Sequence, residues 1–364
     1  MNRDAFSARL ARIRPADAAA MDAARRRQAQ LAKPPGSLGE LETISIRLAG
    51  ITGSVYNEIE RTRIYVLAAD NGVVAEGVSS APQSVTRQQA VNLTRGVTGA
   101  SAIAQHFGDE LVVVDVGIAQ DYTCPQIVNR RIARGTRNIA KEPAMTVQQA
   151  LTALDTGMTL AAQAGRDGVQ ALGVGEMGIG NTTTSAAVLA ALTGCAVEDA
   201  VGRGGGVTDE ALARKRAVVA GALAQWKPDA NDPVDVLAKV GGFDLAAMTG
   251  VFLGAAESRL PVVIDGFISI VAALCAVRLC PAAREFLFAS HGSFERGYAV
   301  AAQALALTPV LTLGMRLGEG SGCPLGFRVL EAACAAMNGM ATFDEARIDD
   351  GYLAPIRAQD AFTV

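Results

Sequence analysis

Val169-Gln-Ala-Leu-Gly-Val-Gly-Glu-Met-Gly-Ile-Gly-Asn-Thr-Thr-Thr-Ser185 is the stretch on which the fold turns. The run from Val169 to Val174 reads as a buried strand, Gly173, Gly175, Gly178 and Gly180 as a bare turn, and the Thr/Ser/Ala-rich residues after it as a helix. Glycines let the backbone turn tightly and approach a ligand. Asn181 and Thr182 are the expected N-cap candidates, and the helix start offers unpaired N–H groups and a partial positive charge to an anion. Two phosphate motifs share this spacing. Gly173, Gly175 and Gly178 spell a dinucleotide-type G-x-G-x-x-G, while Gly175 to Gly180 has P-loop spacing with Asn181 where a lysine belongs. A tight structural turn accounts for the same glycines.

The design of strand, polar-glycine tip and helix recurs on both sides of this hub. Upstream, Arg63–Ala69 runs into Asp70-Asn-Gly72, and Leu111–Ile118 is a β-branched run of the kind found in sheets covered on both faces. Asp70, at a strand's carboxyl end, is a site candidate. Asp115, inside the second run, must be paired or hydrogen-bonded, because burying it bare is costly. The loop 75–83 and a helix over Val85–Leu93 follow the first strand, with Thr86, Arg87, Gln88 and Gln89 either lining a pocket or facing water. A helix over Thr146–Ala164 leads to the hub.

Downstream, Gly194 is the expected helix stop, and Val201-Gly-Arg-Gly-Gly-Gly206 forms a second glycine cluster before a helix capped by Thr208. Lys215, about two turns into that helix, is placed to reach back toward an anion or to stand exposed. Leu260–Gly266 and Glu285–Gly292 are further strands with polar tips, the second ending in Ser290, His291 and Gly292. Finally, Glu319 stands between Gly318 and Gly320. Apolar surroundings would raise its pKa and make it a base near neutral pH, whereas a turn glutamate in water would do nothing of the kind.

At the termini, an arm over residues 3–32 is interrupted by Pro15, with Ala16–Leu31 as one amphipathic helix, and Lys33-Pro-Pro-Gly-Ser-Leu-Gly-Glu40 is a rigid connector. An Ala-rich helix over Leu325–Met340 is expected to pack beside the arm. The composition fits closely packed α/β layers: half of the 364 residues are apolar, 5% are aromatic and 38 are glycine. A net charge of −3 without a long basic run argues against a nucleic-acid partner. The six cysteines form no C-x-x-C pair, so neither a zinc site nor a disulfide framework is expected. The longest uncharged apolar run, Phe267–Val277, is short of the ~18 residues of a membrane span, and no signal-peptide pattern follows Met1. The expectation is a soluble, reduced, cytoplasmic protein without a membrane partner.

Seven segments together resemble the nicotinate-nucleotide:dimethylbenzimidazole phosphoribosyltransferase family: Lys33-Pro-Pro-Gly-Ser-Leu-Gly, Ala69-Asp-Asn-Gly-Val-Val, Gly175-Glu-Met-Gly-Ile-Gly-Asn-Thr-Thr, Gly202-Arg-Gly-Gly-Gly, Ile264-Asp-Gly-Phe-Ile-Ser, Ser290-His-Gly-Ser and Arg316-Leu-Gly-Glu-Gly-Ser-Gly. Their order and spacing cover nearly the whole chain. The resemblance implies transfer of phosphoribose from nicotinate mononucleotide to 5,6-dimethylbenzimidazole, releasing nicotinate and giving α-ribazole 5′-phosphate for the lower nucleotide loop of cobalamin. It implies no metal and no cofactor. It makes Glu319 the general base and places Glu176 second, orienting ribose or base. The phosphate would rest on N–H groups of Gly204, Gly205 and hub glycines such as Gly178, beside Asn181, with Lys215 and the Ser290, His291, Gly292 tip completing the cradle. Ser80 and Gln88 would lie near the benzimidazole, with Met177 and Leu317 as flat apolar walls. The fold it implies is a Rossmann-like parallel α/β domain over 33–324 with a small helical domain from 1–32 and 325–364, acting as a homodimer.

Two rivals remain from the residues themselves. A dinucleotide-dependent oxidoreductase would use Gly173, Gly175 and Gly178 with Glu198 or Asp199 on the ribose, but that fingerprint belongs in a first βα unit and two strands precede it here. A non-catalytic nucleotide or base sensor would bind in the same cleft without releasing nicotinate.

Overall fold

The computed structural model describes residues 1–358. Six strands form one parallel sheet: β1 Thr62–Ala69, β2 Glu110–Gly117, β3 Val128–Asn129, β4 Ala171–Met177, β5 Val262–Ile264 and β6 Leu287–Ala289. Their spatial order is β3-β2-β1-β4-β5-β6. The chain therefore steps outward from β1 in one direction, returns to pair β4 with the other edge of β1, and steps outward again. That reversal opens a crevice beyond the carboxyl ends of β1 and β4, where open α/β sheets bind ligands.

The apolar strands are continuous because both faces are covered. Every residue of β1 is buried, and a strand buried on both sides has no reason to alternate polar and apolar residues. The helices Val147–Arg166 and Phe243–Glu257 pack together on one face, and the helix Cys323–Gly339 lies over β4 and β5 on the other. Along β4 the alternation of side chains decides what the tip can hold. Gly173 and Gly175 point toward Cys323 and Gly320, while Glu176 points to the other face.

The expected elements appear, but the helices Gly99–Phe107, Pro233–Val240, Phe243–Glu257, Phe267–Leu279 and Gly297–Leu305 were not anticipated, and β4 runs on through Met177, so that Gly173 and Gly175 lie in the strand and not in a turn. The edge strand β3 was not anticipated. The last strand begins later than expected, because Pro281–Phe286 winds as a 3-10 helix before Leu287. The hub helix Asn181–Thr193 is capped by Gly180 at φ 91°, so neither Asn181 nor Thr182 is its N-cap. A left-handed Gly180 brings the chain into the helix, and the Asn181 side chain turns instead to buried carboxylates. Gly194 ends that helix in the left-handed conformation, as expected.

The terminal segments meet. The arm forms helices Arg3–Leu10 and Ala18–Gln30, and a backbone bond from Ala32 N to Ala341 O at 2.9 Å ties it to the chain after the last long helix. Ala24, Ile46, Ala49 and Met337 form a small apolar cluster between these helices and the helix Glu40–Thr52. In the connector, buried Lys33 pairs with buried Glu42 at 2.7 Å. No described helix is long and apolar enough to cross a membrane.

Candidate active site

The crevice beyond β1 and β4 is a cleft of about 250 Å³. One wall is the hub: Glu176, Met177, Gly178 and Asn181 line it, as do Gly204 and Gly205 of the second glycine cluster. Opposite stand Leu317, Gly318 and Glu319, with His291 at the end of β6 and Ser80 in the loop after β1. Segments separated by more than two hundred residues thus converge where the sheet topology predicts a site.

Glu319 is held there by an unusual backbone. Its φ is +62°, flanked by Gly318 and Gly320 at +82° each. Left-handed geometry is costly for a side chain with a Cβ, so neighbouring contacts must impose it. Asp265, at the tip of β5, accepts N–H bonds from Gly320 at 3.0 Å and Gly322 at 2.7 Å. Gly175 lacks the Cβ that would strike the Gly320 backbone, so the turn settles directly on β4. The buried Glu319 carboxylate accepts from Gln89 Nε2 at 3.0 Å and lies 3.5 Å from the Ala100 amide nitrogen.

Glu176 and Asp244 form a carboxylate pair. Asn181 Nδ2 donates to Glu176 Oε2 and, at 3.2 Å, to Asp244 Oδ2. Burial pushes the Glu176 carboxyl up to about 8, with the Asp244 charge adding to it. Burial also raises Asp244, to about 6, against the hydrogen bonds it receives. Beside them, burial depresses the His291 pKa, but its contact with Asp265 at 3.5 Å outweighs that and the net shift is upward.

The two glycine clusters abut. Thr182, in the first turn of the hub helix, lies against Gly204. Lys215 sits behind both, donating to Thr182 Oγ1 at 2.7 Å and Gly202 O at 3.2 Å. It is buried but does not line the cleft, and desolvation, partly countered by Glu295, lowers its pKa to about 8.

Several sequence candidates lie elsewhere. Gln88 is exposed on a separate surface groove with Arg87 and Arg95, and it is the next residue, Gln89, that reaches Glu319. Ser290 turns its hydroxyl to Ile264 O at 2.7 Å, and Gly292 spends its N–H on Leu311 O at 2.9 Å, so of that tip only His291 lines the cleft. Asp70 accepts from Ala119 N at 2.7 Å and is a structural tie between β1 and the chain after β2. Asp115 is paired as its burial demands, with Arg131 at 2.9 Å and Tyr122 at 2.8 Å. Glu198 and Asp199 do not line the cleft. Asp244 was not singled out by sequence reasoning; Asp265 was noted only as the Asp-Gly tip of its strand, and Gln89 only as one of the polar helix residues that line a pocket or face water.

A parallel sheet in this order, with glycine turns and buried carboxylates gathered at its switch point, defines a Rossmann-like α/β enzyme built to hold a phosphorylated substrate. Comparisons with known proteins narrow the class. A family model described as "Phosphoribosyltransferase" matches residues 13–348. The chain is 51% identical over 341 residues to the nicotinate-nucleotide–dimethylbenzimidazole phosphoribosyltransferase of Clostridium perfringens, covering 94% of each protein. It is 49% identical over 329 residues to the protein of the same name in Acetivibrio thermocellus, covering 90% of this chain and 94% of that one. The crystal structure of CobT from Thermus thermophilus aligns with a TM-score of 0.88 at 44% identity, covering 92% of this chain and 100% of that one. The chain belongs to the nicotinate-nucleotide–dimethylbenzimidazole phosphoribosyltransferase family.

Proposed function

We propose that this cleft transfers phosphoribose from nicotinate mononucleotide to 5,6-dimethylbenzimidazole, with Glu319 as the general base. The observation that carries the mechanism is the Glu319 turn. A carboxylate is held in a disfavoured backbone conformation, anchored from below by Asp265 and oriented by Gln89, at the mouth of a glycine-walled cleft. Nicotinate mononucleotide already carries a cationic pyridinium at ribose C1′, so the leaving nitrogen needs no proton. One benzimidazole nitrogen attacks C1′ from the opposite face as the bond to nicotinate breaks, inverting β to α. Positive charge develops on the benzimidazole, and the proton on its other nitrogen passes to the Glu319 carboxylate.

The phosphate is assigned to the junction of the two glycine clusters, where the hub helix offers its N-terminus and Lys215 lies behind Thr182. Ser290 and Gly292 then spend their polar groups on the backbone of Ile264 and Leu311 and not on the phosphate. Met177 and Leu317 flank the space left for the benzimidazole, with Ser80 at the rim.

We further read the chain as a cytoplasmic homodimer with a small helical domain from 1–32 and 325–364, of which 359–364 lie outside the described residues. The family resemblance and the exposed Phe294 and Leu317 beside the cleft support the dimer, and sedimentation analysis tests it. The reaction is tested by incubating the purified protein with nicotinate mononucleotide and 5,6-dimethylbenzimidazole and following nicotinate and α-ribazole 5′-phosphate by chromatography. Product requiring both substrates is expected. Tight binding of both without nicotinate release would make the cleft a sensor instead.

A further inference from the structure

Two buried carboxyl groups, Glu176 on the cleft wall and Asp244 behind it, share one amide donor. Neither forms an ion pair among the described residues. Two such groups bridged by a single Asn cannot both ionise at low cost, so one proton belongs to the pair. The surroundings decide which member carries it.

Asp244 stands in the first turn of the helix Phe243–Glu257, where the N-terminal dipole favours a negative charge. It also accepts from Leu245 N at 2.9 Å in addition to Asn181. Among the described residues Glu176 accepts only from Asn181, whereas Asp244 has two donors. Its other oxygen, Oε1, lies against Gly318, immediately before Glu319. The groups around Glu176 are almost all negative: Asp244 from the helix on one face of the sheet, Asp265 from the tip of β5, and Glu319 from the facing turn. His291 is turned to Asp265, Lys215 lies behind Thr182, and Arg203 and Arg316 stand along the cleft wall with Glu295.

We propose that Asp244 is a positioning residue for the reaction: through the Asn181 amide it fixes Glu176 and takes the negative charge of the pair, so that Glu176 meets the substrate as a neutral carboxylic acid. Glu176 is then an O–H donor to a substrate oxygen and Glu319 the sole base, which gives the two glutamates different work. This rests on the reading of the cleft as the transferase site, and it separates the pair by environment, as enzymes with two carboxyl groups do.

The test is the pH dependence of kcat, with an infrared measurement that needs no turnover. In the wild type, kcat falls as pH rises through the region where Glu176 loses its proton. Asp244→Asn removes the like charge and should move that limb about one unit or more toward acid, leaving Glu176 more fully ionised at neutral pH. Glu176→Gln retains an N–H donor, so it should lose less activity than Glu176→Ala and should lose the limb altogether. A Lys215 contribution is distinguished because it acts on KM for nicotinate mononucleotide. In the infrared spectrum near neutral pH, the wild type should show a protonated-carboxyl C=O band that is absent from Glu176→Gln and weakened in Asp244→Asn. If Asp244→Asn does not fold, the Glu176→Gln band and limb still decide. A uniform loss of rate with an unmoved limb, or no band assignable to Glu176, overturns the proposal. The infrared result stands whatever the substrates prove to be, so failure of the reaction reading and failure of this one are told apart.

Discussion

Gly175→Ala puts the construction of the site to a quantitative test. An alanine Cβ there would stand 2.3 Å from Gly320 N, 2.5 Å from Gly320 Cα and 2.6 Å from the Glu319 carbonyl carbon, where ordinary contact begins at 3.4 Å. The turn must therefore retreat from β4 by about 1.1 Å, the gap between 2.3 and 3.4 Å. Neither side of the clash is a flexible side chain. β4 is paired along both edges, and the turn is pinned by the two bonds to Asp265. Overpacking of this kind costs about 1–3 kcal/mol of stability. A displacement of ~1 Å at a reacting group costs on the order of 100-fold in rate, and kcat should fall by about that factor. KM for nicotinate mononucleotide should change little, because the proposed phosphate site is built on other residues. The assay is nicotinate release under saturating substrates, with thermal unfolding in parallel. Gly221→Ala is the control: it lies inside the helix Asp209–Trp226 with nothing within 4 Å of its added Cβ, and it should gain roughly 0.5–1 kcal/mol of stability. A Gly175→Ala enzyme within threefold of the wild-type kcat would show that the seat of the turn on β4 does not place the base.

Glu319→Gln should retain substrate binding measured by calorimetry and lose about 10²–10⁴ in kcat, the usual worth of a positioned base; a near-normal rate removes Glu319 from that role. Lys215, whose pKa burial lowers to about 8, loses its charge as pH rises through that value. KM for nicotinate mononucleotide should therefore climb above about pH 8 in the wild type, and Lys215→Met should show a raised KM with that dependence gone. Gln89→Ala should reduce kcat by about 5–100-fold through the lost hydrogen bond to Glu319, whereas Gln88→Ala should be near wild type. Equal effects at the two positions would contradict the orientation of their helix.

Those two glutamines show where sequence reasoning stops. The strands were legible because β-branched runs ending in polar-glycine tips have few other uses in a covered sheet, and the tips marked its functional end. On a helix, one residue of error turns a side chain by about 100°. Thr86, Ala90 and Leu93 form the buried stripe of the helix Ser84–Thr94. That i, i+4, i+7 spacing places Gln89 beside the stripe and Gln88 outside it, so the periodicity held the answer. No such local signal existed for Asn181. Small polar residues before a helix usually cap it, and of the two carboxylates that claim this amide, Glu176 turns back from the preceding strand while Asp244 comes from a distant helix. Asp265 was visible only as an Asp-Gly strand end, since its partners Gly320 and Gly322 are backbone N–H groups that carry no side-chain pattern.

The conformation of Glu319 also predicts a conflict between stability and activity. Three successive residues, Gly318, Glu319 and Gly320, have φ between 62° and 82°, a path that glycine follows without penalty and glutamate follows at roughly 1–2 kcal/mol. Glu319 is in addition a nearly buried carboxylate that receives few donors, with Glu176 across the turn and Asp265 beneath it. A segment serving only to turn the chain would be better made with glycine at all three positions. Glu319→Gly should therefore unfold at the wild-type temperature or above it: relief of backbone strain and of carboxylate burial offsets the lost Gln89 bond and the greater freedom of glycine in the unfolded chain. The same variant should show no turnover above that of Glu319→Gln. Scanning calorimetry and nicotinate release on one preparation give both numbers. A marked fall in unfolding temperature would mean that the side chain holds the turn together, and the strained backbone would then be a structural feature rather than a cost borne for the base.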